Sequence, residues 1–81
     1  MRASTRCPRA TAAHARAAAR ALGVRLTRLG VTGRQLAEGM NVEAEHRDIT
    51  HCDRRLTARI ALAHLRERPD YYRRLKRYVE R

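Results

Sequence analysis

Apolar positions recur with a helical period in four stretches of the chain, and glycine, proline and short polar signals separate them. Ala15, Ala18, Ala19 and Leu22 fall at the i, i+3, i+4, i+7 spacing of a buried stripe, while Arg9, Arg16 and Arg20 turn away, which predicts a helix over residues 8–22. Pro8 suits its first position, where no amide proton is needed, and Gly23 suits a left-handed stop. Val24, Leu26 and Leu29 form an apolar connector. Thr32-Gly33-Arg34-Gln35 then has the form of a capping box that opens a second helix, expected to reach His46 with Leu36, Gly39 and Met40 inward. One more turn of that stripe adds Glu43 and His46, two polar groups on an inward face. Residues 47–56 lack a helical period and are expected to form a loop, with Thr57 as N-cap of a third helix over 58–68. Ile60, Ala61, Leu62, Ala63 and Leu65 make that helix apolar nearly all round, hence central, with His64 embedded in it. After Pro69, Tyr71, Tyr72, Leu75, Tyr78 and Val79 mark one face of a last helix, and Arg73, Arg74, Lys76, Arg77 and Arg81 mark the other. The expected fold is all-α, a single small bundle of three to four short helices over residues 8–81, preceded by a basic flexible leader at 1–7.

Composition narrows the packing and the function. The chain has 81 residues and no Phe or Trp, so its core must come from Ala, Leu, Val, Ile and tyrosine, and small side chains bring helices close together. A domain this size buries only about 60% of its unfolded surface and has little material for a deep substrate cleft, so no enzyme is expected. No run of about 18 apolar residues is present, so no membrane association is expected, and the basic start leads into an Ala/Arg stretch rather than a leucine-rich export signal. Cys7 and Cys52 are expected to be free thiols in a reducing cytoplasm.

Charge changes the picture more. The formal net charge is +11, and it is segregated: residues 1–34 carry eight arginines and no acid, 35–53 carry five acids against Arg47, and 54–81 carry ten basic residues against three acids. Two basic lobes around an acidic middle attract polyanions. The basic face of the last helix, with Arg9, Arg16 and Arg20 and the leader arginines Arg2 and Arg6, is the expected surface for nucleic acid or a nucleoprotein assembly. Such contacts position a protein on phosphates without reading sequence, and no base-reading motif is present.

Gly39-Met40-Asn41-Val42-Glu43-Ala44-Glu45-His46, then Thr50, Asp53 and Thr57, then the run from Ile60 through His64-Leu65 and Pro69-Asp70-Tyr71-Tyr72 to Leu75, resembles an uncharacterised family of short bacterial and bacteriophage proteins. Its pattern reads GLxVELEHG, T, TGKIALAHLxExPDYYxRL. Arg47 departs from the pattern's glycine, and the loop before Thr57 is shorter. The resemblance carries no activity; it implies an accessory role in a cytoplasmic or virion-associated setting.

Two pairs at i, i+3 could carry chemistry. Glu43 with His46, and His64 with Glu67, each project from one side of their helix. If the helices are neighbours, the four can converge as a polar clasp or, alternatively, hold a metal ion as helical bundles do. His51, Cys52 and Asp53 adjoin one another without further ligands or an orienting group, so neither a zinc site nor a nucleophile is expected there. A protein-binding module, including an inhibitor of a host system, is the remaining alternative.

Overall fold

The computed structural model describes residues 7–46 and 50–80, without the side chains of 76–80. Helix α1 (Ala12–Ala21) starts later than its proline suggests, because Thr11 and His14 form a capping box. The Thr11 hydroxyl accepts from the His14 amide at 3.2 Å, and His14 Nδ1 accepts from the Thr11 amide at 3.0 Å. Histidine here plays the part that Glu or Gln usually takes. Pro8 therefore lies in an extended lead-in and not in the helix.

Gly23 ends α1 at φ 73° as expected: the Gly23 amide donates to Arg20 and the Val24 amide to Ala19, a Schellman closure. The apolar connector coils into a one-turn helix, α2 (Leu26–Leu29), which Gly30 stops in the same way at φ 70°. The Thr32–Gln35 capping box is present, with the two bonds at 3.0 and 2.8 Å, and opens α3 (Gly33–Glu43). That helix closes on Ala44, so His46 lies past its end and not on its inward stripe.

Helix α4 (Arg54–Glu67) begins one turn earlier than predicted. Asp53 is its N-cap, accepting from the Arg55 and Leu56 amides at 2.9 and 3.1 Å. Thr57 is buried within the first turns, and its hydroxyl donates to the Arg54 carbonyl at 3.1 Å. A carboxylate accepts two orphan amides better than a hydroxyl can, which moves the start. The helix is central, touching α1, α3 and the last helix α5 (Tyr71–Glu80). It is not apolar all round, however: Ala58, Ala61, Leu62 and Leu65 are buried, whereas Ala63 is exposed.

Among the described residues, seven of the thirteen buried apolar ones are alanines, at 10, 15, 18, 19, 37, 58 and 61. With so little side chain between them, α1, α3 and α4 pack closely around Leu36, Met40, Leu62 and Leu65. The expected all-α bundle of short helices is the observed fold. No strand occurs among the described residues, and none of their helices is long and apolar enough to cross a membrane.

The lead-in to α1 is strapped down. Asn41 on α3 accepts from the Ala10 amide at 2.8 Å and donates to the Ala10 carbonyl at 3.1 Å, so one side-chain amide satisfies both backbone groups of a buried residue. Upstream, Cys7 is bonded to Cys52, with Cα atoms 5.4 Å apart. The expectation of two free thiols is thereby corrected: Asn41 holds residue 10 against α3, which carries Cys7 to the turn before α4. Cys7 is fixed and does not belong to a free leader; the rest of that leader, residues 1–6, lies outside the described residues.

Candidate functional site

Two features stand out above the core: a buried polar clasp and an open arginine surface. The clasp centres on Glu43, the last residue of α3, which is 9% exposed. A buried carboxylate without partners is costly. The Tyr72 hydroxyl meets that need, donating to Glu43 Oε2 at 2.6 Å, the short distance of a charge-assisted bond. His64 Nε2 lies 3.6 Å from the same oxygen, too far for a hydrogen bond. The His64 ring instead stacks flat on Tyr71, centroids 4.4 Å apart and planes within 4°, and meets Tyr72 edge-on at 6.1 Å. Tyr71 and Tyr72 are themselves edge-to-face at 4.8 Å. Tyr72 and His64 thus meet one carboxylate from α3, and Tyr71 packs against both of them.

Gly39 makes room for this. A Cβ built there would stand 2.5 Å from Tyr72 Cε2 and 3.0 Å from the Ala61 Cβ, so the Tyr72 ring rests on bare backbone. Burial, then the hydrogen bond and charge of Glu43, and then Tyr71 drive the Tyr72 phenol far above the usual tyrosine range. It stays protonated and acts as a fixed donor, not as an acid or base.

Of the four residues expected to converge, the structure brings together Glu43 and His64 only. His46, past the end of α3, and Glu67, on the last residue of α4, are both exposed. Glu43 spends one oxygen on Tyr72, and among the described residues no group of three or more His, Cys, Asp or Glu is placed to hold a metal ion. The periodicity puts Tyr71 and Tyr72 on the same face, and the structure separates them: Tyr72 is buried at 5%, whereas Tyr71 is half-buried. The signal was available: an inward Glu43 demands a donor, and Tyr72 is a neutral one on an adjoining helix. Leu75, also assigned to the stripe, is exposed, and the side chains of Tyr78 and Val79 lie outside the description.

The arginine surface is open. Arg9, Arg16, Arg20, Arg73 and Arg74 are exposed, as expected. Lys76 and Arg77 lie on α5 with side chains outside the description, and Arg81, Arg2 and Arg6 fall outside the described residues. Thirteen arginines are described in full, at 9, 16, 20, 25, 28, 34, 54, 55, 59, 66, 68, 73 and 74, and every one is exposed. Among the described residues none forms an ion pair with a carboxylate; the single acid–base contact is His64 with Glu43. Between the end of α1 and α4, Leu22, Val24, Leu62 and Ala63 floor an open groove of about 350 Å³ rimmed by Arg59 and Arg66.

No curated protein and no solved structure matches the chain. A family model does match, over residues 15–80, from within α1 to the end of α5 and including the whole clasp. Since that span exceeds half of the 81 residues, the chain belongs to the family described as Protein of unknown function (DUF5661).

Proposed function

We propose that this chain is a non-catalytic accessory module that attaches, through its arginine faces, to nucleic acid or a nucleoprotein assembly. The observation that carries this reading is that all thirteen fully described arginines are exposed and, among the described residues, none pairs with a carboxylate. Among the described residues no carboxylate pairs with these charges, and with a formal net charge of +11 the chain favours the approach of a polyanion. Arginine also forks onto phosphate oxygens better than lysine does, and the chain carries eighteen arginines against one lysine. The inward polar groups support the same division of labour: Glu43 and Tyr72 satisfy each other and leave binding to the surface. A virion-associated or cytoplasmic setting belongs to the same proposal.

Contacts of this kind release counterions, so affinity falls steeply with salt. Fluorescence anisotropy with a labelled 20-base-pair duplex, titrated at several KCl concentrations, should give a log–log slope near −0.9 per phosphate neutralised, alike for unrelated sequences. Affinity indifferent to salt, or no binding at low salt, would overturn the proposal. A second reading, a protein-binding module, is favoured by the arginine-rimmed apolar groove; it predicts that Ala63→Arg, which fills the groove, abolishes capture of a specific partner protein and leaves duplex binding intact.

A further inference from the structure

The turn leading into α4 holds chemistry that the binding reading does not use. His51 and Cys52 both adopt left-handed backbone, at φ 52° and 62°, a region that residues with a Cβ seldom enter and that needs support from its surroundings. The turn is clamped on both flanks. Thr50 is fully buried, its amide and hydroxyl both donate to the His46 carbonyl at 2.9 and 3.1 Å, and the Asp53 amide donates to Thr50 at 2.8 Å before Asp53 caps α4. Between the clamps Cys52 is exposed, and its sulfur is tied to Cys7.

The two sulfurs differ in surroundings. Cys7 is half-buried, and its Sγ lies 3.7 Å from the Ala44 carbonyl oxygen. A disulfide sulfur has no proton to donate, so this is a contact only, but a reduced Cys7 thiol would find an acceptor already in place. The Asn41–Ala10 pair does not involve the sulfurs and holds the strap in either state.

We propose that Cys7–Cys52 is a thiol–disulfide exchange site that takes a dithiol reductant, and that opening it loosens the turn at 50–53 while the strap and core stay in place. A thiolate of the reductant attacks the Sγ of Cys52, the more exposed of the two residues; the Cys7–Cys52 bond breaks, and Cys7 departs as thiolate and takes up a proton. The second thiol of the reductant then attacks the mixed disulfide, and Cys52 leaves as thiolate and is protonated. The reductant ends as a disulfide, having passed two electrons and two protons to the protein. Without its bond to Cys7, Cys52 no longer needs to stay left-handed. Cys52 lies within the span matched by the family and Cys7 lies before it, so the closed form depends on a residue outside the family's own segment.

The test uses the full chain purified in air. Iodoacetamide alkylation followed by intact mass should show no modified thiol, and two after dithiothreitol treatment without denaturant. One equivalent of reduced glutathione should be trapped on Cys52, as read by peptide mapping. Amide exchange across 50–53 should quicken about tenfold or more on reduction, with the helical circular dichroism and the amide chemical shifts of α3 and α4 unchanged, and C7S/C52S should show the same fast exchange with no reductant. Two free thiols in the air-purified protein, reduction only after unfolding, glutathione on Cys7, or exchange at 50–53 that ignores the redox state would each overturn the proposal. None of these readouts depends on nucleic-acid binding.

Discussion

The C-terminal end of α3 is held by two long-range ties that work by opposite means. Glu43 reaches Tyr72, 29 residues away, through one buried hydrogen bond; nearby, Asn41 holds the strap that carries Cys7 to Cys52, 45 residues away, through a covalent bond at the surface. The clasp acts in the folded state, where each partner meets a need that the other creates by being buried. The disulfide acts mainly on the unfolded chain, whose freedom it restricts whether or not the native contacts are good. Losing half of the clasp should therefore do more harm than losing all of it, whereas the disulfide's effect should not depend on its surroundings.

The largest expected effect belongs to the covalent tie. Closing a loop with a sequence separation of 45 stabilises by about 4 kcal/mol on the chain-entropy account, so C7S/C52S should lower the urea midpoint and steepen the slope, because the unfolded chain without the bond exposes more surface. Tyr72→Phe comes next, costing about 1–3 kcal/mol because the Glu43 carboxylate stays buried with no donor. Adding Glu43→Leu should restore most of that loss; additive single effects in this cycle would show that the two residues do not act as a pair. Gly39→Ala pushes a methyl into the Tyr72 ring and the Ala61 Cβ at once, for about 1–3 kcal/mol of overpacking, read as a lowered melting temperature.

The smallest effect is visible only in alkali. The Tyr72 phenol is raised above its unfolded value by burial and by Glu43, so the unfolded chain releases this proton first. Its stabilisation is complete below about pH 10, where an unfolded tyrosine begins to ionise, and declines as pH rises through the folded value. Stability measured from pH 8 to 11.5 should fall more steeply in the parent chain than in Tyr72→Phe.

The helices were legible because their signals are local. The Thr32–Gln35 box, the Gly23 stop and the alanine stripe of α1 depend on residues three to five apart, and each stands where the spacing puts it. Starts were misjudged where two local signals competed: Pro8 against the Thr11–His14 box, and Thr57 against Asp53. The clasp was half legible. An inward Glu43 follows from helical period, whereas His64, expected to be embedded, is only partly covered, and which tyrosine turns in depends on how α5 crosses Gly39, a tertiary fact with no local period. The disulfide was read wrongly because nothing within reach of Cys7 in sequence announces Asn41, whose grip on Ala10 sets the path of the strap.

On the proposed function, the interior polar groups hold the fold and the exposed arginines bind. Affinity for a labelled duplex at one low salt concentration, measured for Arg73→Glu/Arg74→Glu and for Tyr72→Phe below its melting temperature, tests that division directly. The arginine variant should keep its stability and lose about tenfold or more in affinity, while the clasp variant should lose stability and bind as the parent does. An arginine variant that binds like the parent, or a folded Tyr72→Phe chain that loses affinity as far, would contradict it.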